Sequence, residues 1–270
     1  MRGARVLLPV LLLLLGMGIL CYPGVSSFVN GLHGSYAIAQ FQTRVENEDI
    51  ALEKEKAAAY NEWVRRCGKA QTPSADMPEY EKILDFGGGM MGYLEIPCIQ
   101  LKMPIYHGTG EQTLARGIGH MEQTALPVGG KGNHTVLTGH TGLPSARIFD
   151  DLTQLEIGDL FQIHILSDTL RYRVDQIRVV LPSEGEDLAA EEDRDYCTLV
   201  TCTPYGINTH RLLVRGSRVT QTEAQPGPQG KTGQSYGFAA VILAAGMLLA
   251  MALTVTVVLD VRSYGEAENY

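Results

Sequence analysis

The sequence predicts a mainly β domain, a barrel or a sandwich, held between apolar segments at either end of the chain. Three observations carry that reading. Short runs rich in β-branched and aromatic residues recur at 93–96, 99–105, 134–137, 160–165, 170–181, 197–201 and 211–214. Turn-forming Gly, Pro, Asn and Asp punctuate the intervals, and no long helical pattern separates one run from the next. Helical character is confined to residues 35–67 and to the two apolar stretches.

Taken in order, Arg2 and Arg5 precede an apolar run at 6–21, short for a membrane span and suited to a signal h-region. The run ends in Cys21-Tyr22-Pro23-Gly24 with no small-residue cleavage site, so an uncleaved anchor is expected in preference to a removed signal. The bulky Leu20 argues against lipoprotein processing at Cys21. Residues 35–67 are rich in Ala, Glu, Gln, Lys and Arg, which predicts one long helix or two shorter ones beginning at Ser35 as N-cap. Its expected task is to lead from the membrane to the domain, in preference to a partner-binding coiled coil. Residues 68–91, with Gly68, Pro73, Pro78 and Gly87-Gly88-Gly89, read as a lid or linker loop with at most one helical turn at 80–84. The β domain occupies 92–219 and a linker 220–237. Residues 238–259 carry no charge over the length of a transmembrane helix, and 260–270 form a tail. Orientation rests on Arg2 and Arg5, which put both tails in the cytoplasm and the domain outside the cell membrane.

A formal net charge of −8 without a Lys/Arg cluster excludes a nucleic-acid partner. Five cysteines are an odd number for an extracellular domain, so at least one is free. Cys67, Cys98 and Cys197 read as small buried apolar residues, with one disulfide left open. The glycine runs at 87–89 and 129–132 lack the GxxxxGK[ST] and strand–GxGxxG–helix contexts of phosphate loops. Acidic residues gathered between 183 and 195 are either a solvated loop or a surface that selects substrate. His134, His140, His164, Cys197 and Cys202 show no CxxC or HExxH spacing, and no GxSxG is present, which disfavours metal and serine chemistry. No metal or organic cofactor is expected.

The chemistry concentrates where the run ending in Thr201-Cys202 stops at Pro204-Tyr205-Gly206 and a second run begins at His210-Arg211. An antiparallel return would set Arg211 nearly opposite Cys202. A cation beside a thiol favours the nucleophilic thiolate, and a guanidinium can also donate to the oxyanion of an attacked carbonyl. A proton donor for the leaving group is needed as well, and there are seven histidines: His33, His107, His120, His134, His140, His164 and His210. His140 closes the run 135–139 beside a loop, whereas its competitor His210 faces away from any site that Arg211 enters, because neighbours on a strand point to opposite sides.

Thr198-Leu199-Val200-Thr201-Cys202 resembles the TLxTC signature of sortases, with Arg211 downstream and Thr138-Gly139-His140 upstream. Cys202-Thr203-Pro204-Tyr205-Gly206-Ile207-Asn208-Thr209-His210-Arg211, followed by a C-terminal apolar segment, is similar to the class C, pilin-polymerising members. The resemblance implies an eight-stranded β-barrel with N-terminal helices and a transmembrane helix near each end, in a membrane-anchored transpeptidase of the Gram-positive cell surface. It further implies Cys202, His140 and Arg211 as catalytic residues, with Cys202 taking the Thr carbonyl of an LPXTG-type sorting signal as a thioester. His140 would protonate the departing Gly amine, Arg211 would hold the developing oxyanion, and a pilin Lys amine would resolve the thioester. Asp76, Met77 and Thr201 are candidate lid or substrate-binding residues, although the lid pattern departs from the class: Ser74-Ala75-Asp76-Met77-Pro78 stands where Asp-Pro-aromatic is common. Thr141 stands where Arg often follows the His, and Cys98 where a Lys often follows Ile-Pro. The alternatives are a sortase that anchors surface proteins to a peptidoglycan amine and a catalytically silent assembly scaffold.

Overall fold

The computed structural model describes residues 2–46, 48–67, 79–143 and 146–220, together with 246 and 250. The chain divides into two compact units, one of Val29–Gly233 and one joining Met1–Phe28 to Gln234–Tyr270. In the second of these the described part is mostly helix, with Leu11, Leu12, Leu15, Ile19 and Leu20 exposed. Helix α1 covers Arg2–Val45, and its stretch Leu14–Val45 is long and apolar enough to cross a membrane, with a mean hydropathy of 1.2. The break expected after residue 21 is absent. Pro23 removes one backbone donor and kinks or weakens a helix, yet a single Pro does not end one whose other hydrogen bonds persist. Ser35, expected as an N-cap, lies inside α1 and donates its hydroxyl to Gly31 O at 2.9 Å. Helix α1 ends at Val45, and Asp49 caps α2 (Ile50–Cys67) by accepting from Leu52 N at 3.1 Å. The second apolar span, 238–259, and the lid residues Asp76 and Met77 lie outside the described residues.

Within the Val29–Gly233 unit the two helices are pinned to the β domain by specific contacts. Ile38, Phe41 and Val45 share one face of α1 and are buried, Phe41 meeting Phe86 edge-on at 5.2 Å. From α2, buried Asn61 accepts from Leu126 N at 2.6 Å and donates to Leu126 O at 3.1 Å. Glu53 accepts from Leu84 N at 2.8 Å.

Eight strands make up that domain: β1 (Met90–Ile96), β2 (Leu101–His107), β3 (Ile118–His120), β4 (Asn133–Thr138), β5 (Leu160–Ile165), β6 (Asp168–Val180), β7 (Asp195–Thr203) and β8 (His210–Val219). A one-turn helix α3 (Glu111–Leu114) precedes β3. The strands close into a barrel in the order β1-β2-β3-β4-β7-β8-β6-β5, which resolves the barrel-or-sandwich alternative. The three-residue β3 is not among the runs that the sequence predicts. Leu94, Ile105, Ile118, Leu137, Phe161, Tyr172, Leu199 and Val214 fill the interior. Phe161 and Tyr172 stack at 5.4 Å, and Gly216 makes room for them: a Cβ there would stand 2.6 Å from the Phe161 ring. A second, smaller cluster of Val136, Val180, Val200 and Leu213 lies on the opposite face of the same strands, with Met121 and Leu188 against it.

Candidate active site

Strand β7 fixes the nucleophile's surroundings by its alternation. Cys197 and Leu199 belong to the interior core, whereas Val200 belongs to the outer cluster, so Cys202, two residues on from Val200, emerges on the outer face at the strand's end. Strand β8 runs antiparallel beside it with Cys202 and Arg211 as direct partners. Directly opposed residues of an antiparallel pair project their side chains to the same side, about 5 Å apart at Cβ. Arg211 donates through Nη1 to Asn208 O at 3.2 Å and to His210 O at 3.1 Å, which folds the β7–β8 turn and leaves its other N–H groups for an incoming oxygen.

On the other flank β4 runs parallel to β7 with Thr138 level with Val200. Carried two residues on, this register sets His140 level with Cys202, and Gly139 N still donates to Val200 O at 3.1 Å. By that extrapolation His140, Cys202 and Arg211 fall in a row across three adjacent strand lines. Gly139 is the residue that permits it. A Cβ at that position would stand 2.6 Å from the Phe149 ring and 2.9 Å from Ile148, so only glycine lets the His140 loop lie on that aromatic floor.

The family model for the sortase domain matches residues 94–219. Sortase C1 of Streptococcus agalactiae is 46% identical, with a TM-score of 0.65 over 69% of this chain and 99% of that one. A Clostridium perfringens sortase C structure with its C-terminal cell wall sorting motif is 40% identical, with a TM-score of 0.61 over 69% of this chain and 99% of its own. The chain belongs to the sortase family. Sortases are cysteine transpeptidases, and the solved relatives are of the pilin-associated class C. Among curated proteins, sortase D of Bacillus subtilis is 27% identical over 49% of this chain and 66% of its own length, just under two thirds. Sortase A of Streptococcus agalactiae is 26% identical over 78% of this chain and 82% of its own.

Of the six other histidines of this sortase, His33 is exposed on α1 and five are hydrogen-bonded elsewhere. His107 meets Gly89 O and Ile83 O at 2.9 and 2.7 Å, and His134 meets Ala189 O and Thr198 Oγ1 at 2.9 and 2.7 Å. His120 meets Tyr80 Oη and Ala125 O at 2.8 and 2.9 Å, and burial lowers its pKa to about 4. His164 pairs with Glu95 at 3.1 Å, and burial, outweighing that carboxylate, lowers its pKa. His210 turns to Thr209 Oγ1 at 2.9 Å. The ring of His140, by contrast, makes no hydrogen bond among the described residues, and it is half-buried beside the row. Cys98 and Cys197 are free thiols, both pushed up by burial, Cys98 to about 11.

Thr201 does not sit where a substrate-binding residue must. It is 3% exposed on the inner face, and its hydroxyl donates to Gly139 O at 2.7 Å and contacts Thr141 Oγ1 at 2.6 Å. Alternation explains the difference: the residue before an outward nucleophile points inward. Thr141 and Asp150 are residues of the site to which the sequence assigns no role, Thr141 being noted only as a departure from a family pattern. Asp150 Oδ1 accepts from Gly142 N at 3.2 Å, its Oδ2 is buried without a partner among the described residues, and burial raises its pKa. No local signal marks either residue, because each finds its partner only after the loop folds back on β7. The acidic loop between β6 and β7 lies against the outer cluster through Leu188, tied by Arg178–Asp187 at 2.5 Å and Ala189 O to His134.

Proposed function

We propose that this chain is a membrane-anchored, pilin-type sortase that cleaves an LPXTG-type sorting signal between Thr and Gly and joins the new carboxyl end to a Lys amine of a pilin subunit. The observation that supports it best is the cross-strand pairing of Cys202 with Arg211, with His140 two residues beyond the end of the neighbouring strand β4. In the first half-reaction the Cys202 thiolate adds to the Thr carbonyl carbon, and Arg211 donates to the oxygen that becomes negative. The intermediate collapses as the C–N bond breaks, His140 gives its proton to the Gly nitrogen, and a thioester remains on Cys202. In the second half-reaction a Lys amine adds to the thioester, His140 takes a proton from it, and the Cys202 thiolate leaves. An amide has been exchanged for an isopeptide, so neither oxidant nor cofactor is consumed. The apolar part of α1 that precedes Ile38 and the apolar residues 238–259 supply the two membrane anchors, with the barrel outside the cell.

Mass spectrometry of the full-length chain in detergent, incubated with an LPXTG peptide and then with a Lys-bearing pilin peptide or a peptidoglycan-type amine, tests this directly. A mass increase on Cys202 that passes to the Lys peptide is expected. Transfer to the peptidoglycan amine alone would assign wall anchoring instead, and no adduct at all would sink the enzymatic reading.

A further inference from the structure

We infer that Thr141 is a positioning residue of the acyl transfer, its hydroxyl coupled to that of Thr201 so that the loop carrying His140 hangs from the strand carrying Cys202. The inference rests on the transpeptidase reading and adds a residue to it. Thr201 is the immediate neighbour of Cys202, and Gly139 and Thr141 are the immediate neighbours of His140. Three contacts join them: Thr201 Oγ1 to Gly139 O at 2.7 Å, Thr201 Oγ1 to Thr141 Oγ1 at 2.6 Å, and Thr141 Oγ1 to Phe149 O at 3.2 Å.

Two hydroxyls carry two protons, so only two of these three contacts are filled at once. Thr141 donates to Thr201 and Thr201 to Gly139 O, or Thr201 donates to Thr141 and Thr141 to Phe149 O, or the two hydroxyls donate to Gly139 O and Phe149 O and leave their mutual 2.6 Å contact unfilled. The shorter distances select the first arrangement, in which both residues flanking His140 are bonded to the residue beside the nucleophile. Phe149 N adds a bond to His140 O at 3.0 Å. With its backbone held before, at and after the Cα, His140 keeps only its side-chain rotations. Thr201 is buried and Thr141 half-buried, so water competes weakly for these bonds.

The chemical consequence falls on the proton. An amine leaves a tetrahedral intermediate only when protonated, so amide cleavage depends on where His140 stands, and a displacement of about 1 Å costs up to 10²-fold. An aryl thiolate leaves without a proton. A loss of His140 placement therefore slows an amide substrate and spares an aryl thioester, whereas a partly unfolded enzyme slows both alike.

The test compares full-length wild type, Thr141→Val and Thr141→Ser in detergent on two peptides, reading kcat and KM on an LPXTG amide and the single-turnover rate of acyl-enzyme formation on an LPXT aryl thioester, since His140 also serves the second half-reaction. Thr141→Val is expected to lower kcat on the amide about tenfold at unchanged KM and to leave the thioester rate within about twofold, and Thr141→Ser to recover the amide rate to within about threefold. Equal losses on both peptides, no loss on the amide, or a serine variant as slow as the valine one would each overturn the positioning role. Wild type that forms no adduct with either peptide would instead remove the transpeptidase reading itself, an outcome distinct from all three.

Discussion

Cys197 and Cys202 lie five residues apart on β7, and an odd separation on a strand sends them to opposite faces. Cys197 is fully buried in the barrel, its thiol pushed up by desolvation, with the carboxylate of Asp195 adding to the rise. At that end of the strand Asp195 accepts from Gly130 N at 2.8 Å and from Tyr172 Oη at 3.1 Å beside a cavity of about 590 Å³ that also reaches Arg171 and Arg218. Cys202 stands half-buried at the other end, on the outer face, with Arg211 across from it and His140 two residues past the end of β4 on its other flank. The same side chain is a core filler at one position and, in the chemistry proposed, a nucleophile at the other. Strand parity and end decide which, and the cavity at the Cys197 end has no part in the chemistry proposed.

The largest effect that could break this contrast is the exchange of roles between the two thiols. Cys202→Ala should abolish thioester formation outright, while Cys197→Ala should keep the turnover and cost about 1–2 kcal/mol of stability for the small cavity left behind. Intact-mass analysis after peptide incubation, paired with thermal melts, checks both. An adduct persisting in Cys202→Ala would move the nucleophile elsewhere. Next in size is Arg211→Ala, for which a loss of about 10²- to 10³-fold in kcat is expected, the range seen when one oxyanion donor is removed. Arg211→Lys keeps the charge without the planar fork, so an intermediate rate would separate charge from geometry. A wild-type rate in Arg211→Ala would leave the cross-strand pairing without a catalytic role.

A third change sharpens the contrast from the His140 side. Gly139→Ala puts a methyl into the space held by Phe149, an overpacking worth about 1–3 kcal/mol, and the cheapest relief is to lift the loop that carries His140. Amide turnover should fall by more than the folded fraction does, as read by activity against near-ultraviolet circular dichroism on the same samples. The position shows what the sequence can and cannot convey. The β runs, the TLxTC-like strand and the turn that brings Arg211 opposite Cys202 are readable because they depend on alternation and on spacing along one or two strands. Strand β3 escapes because three residues, one of them Gly119, offer no period to detect. Thr201 reads as a residue of the substrate side because its inward direction follows only from knowing which face Cys202 takes. Thr141 registers in the sequence only as a departure from a family pattern, although its hydroxyl partner lies sixty residues away on β7. The continuity of α1 through Pro23 is likewise illegible, since Pro weakens a helix by an amount that the rest of a long helix offsets.

The smallest effect on turnover, and the one that tests the bland side of the comparison, concerns His120. Its imidazole is fully buried and held neutral by desolvation, with a pKa of about 4 against the ordinary 6.5. Below pH 6.5 the unfolded chain takes up a proton that the folded protein refuses until about pH 4. The unfolded state thus binds more protons across that window, and stability, complete above pH 6.5, is lost as the pH falls through it. The shift corresponds to a loss on the order of 3 kcal/mol by pH 4. His134, lowered by burial in the same sense, adds to the slope. Urea denaturation of wild type and His120→Gln between pH 7 and pH 4 reads this out. The variant should begin less stable, since it gives up the bonds to Tyr80 and Ala125, and should lose less on acidification. Parallel curves for the two proteins would show that the buried ring titrates as it does in water, and the division of the histidines into structural ones and His140 would lose its physical basis.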